Sequence, residues 1–341
     1  NDLAQAFYYS ADGEPLEVGT TLKNPALAAI LRRIAEEGSA AFYEGEVAED
    51  LVEQVQSHPV RPGKISLDDI SGYQSLEREP LCTPWQQWEV CGFPPPSSGH
   101  LTIMQILGML DQQPLLEAPL ENGVTSSGWL HQFLEASRLA FADRGRYIAD
   151  PDFVEAPGGD WSLMLAPDYL GKRSELIGEE SMGENAEPGN PGELAVSFAS
   201  QPEQPEYGTS HISIVDADGN AIAMTTTIEQ AFGSRILADG GTDLPGGYLL
   251  NNELTDFSFR THSDGVPIAN ALAPGKRPRS SMAPTIVMKD NKPLIVTGSP
   301  GGSRIIGYVA QSLIGMIDWN MSPQETINMP VRVGNPVNLS G

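Results

Sequence analysis

The sequence predicts an α+β fold built from packed layers, and three features support this. Apolar residues recur at helical spacing in residues 24–38 and 129–148. Residues 211–215 and 221–227 alternate polar and apolar side chains around the turn sequence DADGN, which predicts a β-hairpin. A strand, a glycine-rich turn and an apolar helix follow within residues 294–319. Helices and hairpins that share one chain in this way are typical of layered α+β proteins.

The remaining segments are predicted in turn. Residues 39–58 continue the helical spacing, so we expect a second helix after Gly38. The run PPPSSG at residues 94–99 predicts a rigid loop, because three prolines cannot join a regular element. A buried helix is predicted at residues 100–110. Residues 179–207 are polar and rich in Pro, Gly and Glu, which favours an exposed, mobile loop.

Composition limits the function classes. The chain has 341 residues with a formal net charge of -25, and such an acidic surface repels phosphate backbones and anionic lipid. We therefore expect no nucleic-acid partner and no membrane binding. No apolar run approaches the roughly 20 residues that span a bilayer. The first residues, NDLAQ, lack the basic and apolar stretch of a signal peptide.

Two cysteines lie in a predicted hairpin. If the turn is at Gln86–Gln87, then Cys82 and Cys91 stand directly opposite each other at a non-hydrogen-bonded pair, where side chains are closest. A disulfide is sterically reasonable there, and two unlinked thiols are the alternative. A disulfide would indicate an oxidising compartment.

Several standard sites are missing from the sequence, which contains no HExxH, Walker, GxGxxG or GxSxG motif. The five histidines are scattered without the spacing of metal ligands. The sequence thus predicts no metal site and no organic cofactor.

The Gly208–Thr209 bond carries a possible chemistry. If it breaks, Thr209 becomes a terminus that holds a hydroxyl nucleophile and a free α-amine of pKa about 7.7–8.0, which suits a general base near neutral pH. Gly208 lacks a Cβ and leaves room for the hydroxyl to attack its carbonyl. An ordinary strand start is the alternative when the dipeptide is taken alone.

Several motifs in order point to one family. The stretches TSHISIVDADGNAIAMTTT, GGYLLNNELTDFS, KRPRSSMAPTIV and TGSPGGSRII, with the upstream FADRGRYIADPDFV, resemble the γ-glutamyltransferases over nearly the whole chain. The resemblance implies the four-layer αββα sandwich of N-terminal-nucleophile hydrolases. It also implies self-cleavage at Gly208–Thr209, so that residues 1–208 end a large subunit and residues 209–341 form the catalytic small subunit of a heterodimer.

The resemblance assigns roles to single residues. Thr209 is then the nucleophile that forms an ester with a γ-glutamyl donor such as glutathione, and water, amino acids or peptides are the acceptors. Thr227 matches a threonine that hydrogen-bonds near the nucleophile. Gly301 and Gly302 match the glycines whose N–H groups form an oxyanion hole, where such a donor is worth about 2.7–4 kcal/mol.

The substrate-binding residues are assigned in the same way. Ser280 and Ser281 match a serine pair that holds the substrate α-carboxylate, and Glu253 and Asp256 match acids that hold its α-ammonium. Glu229 stands where many relatives have asparagine, and it adds a negative charge near that ammonium pocket.

Two departures keep other functions open. Glu229 and a lid segment that is short between residues 258 and 276 also suit a glutaryl (cephalosporin) acylase or a poly-γ-glutamate processing enzyme. A homologue that never cleaves itself and stays silent is a third possibility, because residues 208 and 209 are continuous here.

The resemblance also implies a location and an extent. It predicts a periplasmic or secreted protein. It further predicts a chain without the family's N-terminal half, which supplies an arginine for the substrate carboxylate, and without its C-terminal strands.

Overall fold

The computed structural model describes residues 2–116, 118–183, 186–202, 204 and 208–330. Its α-helices are α1 (Asp2–Tyr8), α2 (Pro25–Glu37), α3 (Ala40–Tyr43), α4 (Gly45–Gln56), α5 (Leu67–Ser71), α6 (Gly99–Leu110), α7 (Ser127–Tyr147), α8 (Pro167–Ser174), α9 (Arg304–Ile317) and α10 (Pro323–Asn328). Its strands are β1 (Leu81–Trp85), β2 (Trp88–Gly92), β3 (Leu120–Glu121), β4 (Val124–Thr125), β5 (Ser210–Val215), β6 (Ala221–Thr226), β7 (Leu237–Ala238), β8 (Tyr248–Leu249), β9 (His262–Ser263), β10 (Val266–Pro267), β11 (Thr285–Lys289) and β12 (Lys292–Thr297). This mixture confirms the predicted α+β class.

The chain forms two compact units. The first consists of Asn1–Glu77 and Ile228–Asn252, and the second of Arg78–Thr227 and Glu253–Gly341. The second unit holds residues from both sides of the Gly208–Thr209 bond. The boundary between the two compact units therefore differs from the predicted boundary between the subunits. The division into residues 1–208 and 209–341 stays a prediction about cleavage.

The first unit packs helices against the short β7–β8 ladder. Ala48, Leu51 and Ile70 form its buried cluster, against which Tyr248 packs. The single helix predicted for residues 39–58 is wrong, because the chain breaks between α3 and α4. Glu44 is extended there, with φ -134° and ψ 161°, and Gly45 follows at φ 66°, a conformation that glycine adopts without strain.

The second unit is a sheet covered by helices. Its antiparallel strands run in the order β1–β2–β11–β12, with Val90 opposite Val287. Helix α6 packs against β1 and β2, and α7 and α9 pack against α6. Their apolar side chains, among them Leu107, Phe133 and Val309, belong to one buried core with Val90 and Val287 of the sheet. The sheet and helices make the rigid base on which the candidate site is built.

The predicted hairpin at the start of the second half is confirmed. Strands β5 and β6 pair antiparallel, with Ser210 opposite Thr226 and Val215 opposite Ala221. Asp216 closes the turn, because its carboxylate accepts the N–H groups of Asp218 and Asn220 at 2.9 and 2.8 Å. Both strands lie against β12.

The two cysteines form a disulfide across β1 and β2. The ladder places Cys82 opposite Cys91 and Trp85 opposite Trp88, so the turn is at Gln86 and Gln87. The cross-link thus fixes the hairpin at the edge of the four-stranded sheet. Among the described residues, no helix is both long and apolar enough to cross a membrane.

His100 on α6 gives the fold a measurable pH dependence. Its Nε2 lies 2.9 Å from Thr83 Oγ1, and its ring packs on Gly92, where a Cβ would come within 2.8 Å of Nδ1. Burial lowers the pKa of His100 from 6.5 to about 4. Between these values the unfolded chain takes up a proton that the native chain refuses, so stability falls as pH falls, by roughly 3 kcal/mol in total.

The measurement is urea unfolding of the full-length protein between about pH 7 and pH 4. We expect His100→Gln to lose this part of the pH dependence, because glutamine does not titrate, whatever its stability at neutral pH. An unchanged slope of stability against pH in the variant would show that His100 is not the group responsible.

Candidate active site

Thr209 stands immediately before β5 with an unusual backbone. Its φ is 110° and that of Gly208 is 83°. A positive φ is an outlier for a β-branched residue and costs on the order of 1–3 kcal/mol. The strain is therefore located at the bond that the sequence predicts to break.

Thr227 lies next to Thr209 by register. The β5–β6 ladder ends with Ser210 opposite Thr226, so the next position on each strand brings Thr209 and Thr227 side by side. This register brings the backbones of the two threonines to the open end of the hairpin, and the role of Thr227 beside the nucleophile stays a prediction.

The glycine-rich turn joins β12 to α9. Gly301 and Gly302 have φ of 129° and 59°, and their carbonyl oxygens accept the N–H groups of Arg304 and Ile305 in the first turn of α9. The two glycines therefore precede the positive end of a 14-residue helix, where negative charge is stabilised. This position suits N–H donors to an oxyanion.

His211 brings that turn to the hairpin. A Cβ on Gly298, the first residue of the turn, would lie 2.2 Å from His211 Cε1, so the ring packs directly on the glycine backbone. The ring is held by Thr225 Oγ1 at 2.8 Å from Nδ1 and by Ser213 Oγ at 3.0 Å from Nε2. Burial lowers the pKa of His211, which favours the neutral ring.

From the sequence alone, His211 is one of five scattered histidines, and no role is predicted for it. The signal that was available is its place as the second residue of the strand that begins directly after Thr209.

Ser281 and Ser280 belong to a buried cluster around Arg144 of α7. The Arg144 guanidinium donates from Nη2 to Ser281 Oγ at 2.5 Å and from Nε to Ser98 Oγ at 2.8 Å. Ser98 Oγ in turn donates to the carbonyl of Ser280 at 2.7 Å. Arg144 lies within the stretch FADRGRYIADPDFV, but nothing in the sequence alone indicates its role.

Glu253 and Asp256 begin and end a short 3-10 helix, and both are half-buried. Asn270 ties this helix to the serines. Its Nδ2 donates to the Asp256 carbonyl at 2.8 Å, and its Oδ1 accepts the Arg279 N–H at 2.9 Å, one residue before Ser280. The structure thus links the predicted ammonium and carboxylate residues through one buried amide that the sequence analysis missed.

Glu229 belongs to the first unit. It is buried, with φ 70°, and its carboxylate accepts a hydrogen bond from Asn252 Nδ2 of the same unit. Its contact in that unit is therefore with an amide of the NNELTDFS motif.

The predicted mobile loop, residues 179–207, makes hydrogen bonds to buried acids. The N–H of Met182 donates to Glu135 at 2.8 Å, and the N–H of Gly189 donates to Asp143 at 2.7 Å. Both acceptors are fully buried on α7. These contacts differ from the exposed, mobile loop that the composition predicts. Composition does not reveal hydrogen-bond partners that lie on another element, here α7.

Gln204 fastens the end of this segment. Its Nε2 donates to the carbonyls of Thr255 and Phe257 at 3.0 and 2.9 Å, and its Oε1 accepts the Phe259 N–H at 2.9 Å. Five residues before Thr209, the chain is thus held against the segment that follows Glu253.

Comparison with known proteins identifies the relatives of this chain. The gamma-glutamyltranspeptidase family model matches residues 1–336. Glutathione hydrolase proenzyme from Escherichia coli (strain K12) is 38% identical over 327 residues, which cover 94% of this chain and 52% of that protein. The proenzyme of the same name from Bacillus subtilis (strain 168) is 36% identical over 328 residues, with the same two coverages of 94% and 52%.

A solved structure shows the same fold. Cephalosporin acylase from Bacillus halodurans superposes with a TM-score of 0.78 at 24% identity, over 97% of this chain and 54% of the acylase chain. This confirms the predicted N-terminal-nucleophile hydrolase fold. The chain spans about half the length of the relatives it matches. From the match over residues 1–336, the chain belongs to the gamma-glutamyltranspeptidase family.

Proposed function

We propose that this chain carries the catalytic machinery of a γ-glutamyl acyl transferase and hydrolase. The Thr209 hydroxyl attacks the Gly208 carbonyl carbon, so that the acyl group moves from the Thr209 nitrogen to its oxygen as the peptide C–N bond breaks. Water then hydrolyses this ester, which leaves a Gly208 carboxylate and a Thr209 with a free hydroxyl and a free amine. Its hydroxyl then attacks the γ-amide of a donor such as glutathione, and the free amine of Thr209 passes the hydroxyl proton to the departing amine of the donor. The resulting γ-glutamyl ester is resolved by water, an amino acid or a peptide, which takes up the γ-glutamyl group and restores the Thr209 hydroxyl. The observation that carries this proposal is the strained Thr209 beside Thr227, with the glycine turn packed on His211 two residues away.

Each neighbour has a task in this mechanism. The Gly301 and Gly302 N–H groups stabilise the tetrahedral oxyanion, and Thr227 orients the nucleophile. Ser280 and Ser281 bind the donor α-carboxylate, while Arg144 positions Ser281 and adds a buried positive charge behind it. Glu253 and Asp256 bind the α-ammonium.

The proposal extends to assembly and location. Cleavage would produce a large subunit ending at Gly208 and a small subunit beginning at Thr209, which stay together as a heterodimer. The disulfide between Cys82 and Cys91 supports a periplasmic or secreted location, because such bonds persist in oxidising compartments.

A mass measurement tests the proposal. The full-length protein is incubated and its fragments are weighed, and then its release of aniline from a γ-glutamyl anilide is followed. We expect two fragments that divide before Thr209 and activity that rises with their formation. A protein that stays intact and inactive would support the silent homologue instead.

A glutaryl acylase is the second candidate, because Glu229 stands where many relatives have asparagine. A glutaryl group lacks the α-ammonium, so Glu253 and Asp256 would have no cation to bind. The ratio of kcat/KM for γ-glutamyl and glutaryl anilides separates the two activities, and a glutaryl preference would overturn the transferase assignment.

Gly298→Ala tests the placement of the glycine turn. The added methyl would lie 2.2 Å from His211 Cε1, and the ring cannot yield easily because both its nitrogens are hydrogen-bonded. The turn must shift, and displacement by about 1 Å can cost on the order of 10²-fold in rate. We expect slower self-cleavage and a lower kcat, measured by gel densitometry and anilide hydrolysis.

Gly171→Ala is the matched control, since a Cβ there meets nothing within 4 Å and its φ is ordinary. If Gly298→Ala cleaves and turns over like this control, the turn does not depend on its contact with His211.

A further inference from the structure

The second unit contains a cavity that the proposed reaction does not use. Its volume is about 530 Å³, within the range of small-molecule sites. It lies where α6 and α9 end and where the β1–β2 hairpin turns. The disulfide between Cys82 and Cys91 cross-links that hairpin, so this wall of the cavity is held covalently.

Three tryptophans line the cavity, namely Trp85, Trp129 and Trp319. Trp129 stacks on Phe133 with ring centroids 4.9 Å apart, and it meets Trp319 edge to face at the same separation. These contacts hold the rings in place before any ligand arrives. Aromatic faces attract cations through the negative charge above and below the ring.

Two carboxylates complete the lining. Asp111 is the residue after α6, and Asp318 is the residue after α9. Trp85 Nε1–H donates to Asp111 Oδ2 at 3.0 Å, and Gln86 Nε2 donates to Asp318 Oδ1 at 2.6 Å. Each acid keeps further oxygen lone pairs beyond these single bonds, because an ionised carboxylate accepts about four.

The charges and helix dipoles around the cavity favour a positively charged ligand. The carboxyl ends of two helices, of 12 and 14 residues, meet there and favour positive charge. None of the described residues that line it is Lys, Arg or His. Partial desolvation by the surrounding protein raises the pKa of both Asp111 and Asp318, and the charge of Asp318 adds to the rise at Asp111. A bound cation would relieve this repulsion.

We propose that this cavity binds a small organic ammonium ion, with its charge at Asp111 and Asp318 and its hydrocarbon part against the tryptophans. A polyamine and a quaternary amine share this chemistry. A divalent metal ion is the competing ligand, because Mg²⁺ can keep several waters and bind through one or two carboxylates, but it would make no contact with the indole rings. Both acids are solvent-exposed residues, so a ligand can reach them.

Calorimetric titration of the full-length protein tests the proposal, with spermidine, choline and Mg²⁺ as separate ligands and tryptophan fluorescence as a second signal. We expect one amine per chain to bind saturably and to change the fluorescence. Preference for spermidine or for choline identifies the kind of ammonium. In Asp111→Asn/Asp318→Asn we expect affinity to fall by at least about tenfold, because each charge-assisted bond is lost while Trp85 and Gln86 keep an acceptor.

Asp264→Asn is the charge control. Asp264 is exposed in the β9–β10 turn at φ 48°, a conformation that asparagine tolerates, and it does not line the cavity. This variant should bind the amine as the unaltered protein does, which separates the cavity from general attraction to a chain of net charge -25.

Three results would overturn the proposal. These are no saturable binding of either amine, equal affinity in the double asparagine variant, and Mg²⁺ binding at the same site with the same affinity as the amine.

Discussion

Thr209→Ala is expected to leave the full-length protein in one piece and without measurable γ-glutamyl hydrolysis. The substitution removes the hydroxyl that attacks Gly208 and, later, the donor amide. Because the free amine forms only after cleavage, nucleophile and base disappear together. Loss of a nucleophile in comparable hydrolases costs roughly 10⁴-fold or more in kcat. Mass spectrometry and anilide hydrolysis measure the two effects.

Two controls make this result specific. Thr209→Ser keeps a hydroxyl and removes the Cβ branch, so it should still cleave. Thr226→Ala alters an exposed threonine one position before Thr227 and should behave as the unaltered protein does. Cleavage before residue 209 in the alanine variant would contradict the assignment of the nucleophile.

Asp143→Ala is expected to lower the free energy of unfolding by about 3–5 kcal/mol, the usual cost when one partner of a buried ion pair is removed. Asp143 is 0% exposed. It accepts hydrogen bonds from Gln105 at 2.9 Å, Tyr169 at 2.6 Å and Arg173 at 3.1 Å. A fourth comes from the Gly189 N–H, so the variant would leave several buried donors and one guanidinium without an acceptor.

Urea unfolding of the full-length protein is the measurement, made in the Thr209→Ala background so that cleavage does not divide the chain. Asp168→Ala is the control, because Asp168 is exposed in the first turn of α8 and contributes only about 0.3–1 kcal/mol through the helix dipole. A loss below about 1 kcal/mol for Asp143→Ala would mean that the four contacts are not essential to this core.

Asp143→Ala is also expected to expose the segment before the nucleophile. Gly189 is held by Asp143 and by Tyr147, whose hydroxyl donates to the Gly189 carbonyl at 2.5 Å. We therefore expect its backbone near residue 189 to be more accessible to protease than in the Asp168→Ala control.

The sequence by itself determined what depends on neighbours along the chain. Alternating polarity around DADGN gave the β5–β6 hairpin, and counting outward from Gln86–Gln87 placed Cys82 opposite Cys91. Both follow from the two-residue period of a strand. The Gly208–Thr209 pair was likewise visible, although its meaning came from the surrounding motifs.

Only the tertiary structure decided which distant residues meet. Arg144 contacts Ser281, which lies 137 residues later in the chain, and the end of α6 meets the end of α9 at the cavity lined by three tryptophans. Periodicity reports which face of an element is buried but not which element covers it. Such pairings depend on how sheet and helices pack, and a buried charge or a glycine under a histidine ring acquires its role only from that packing.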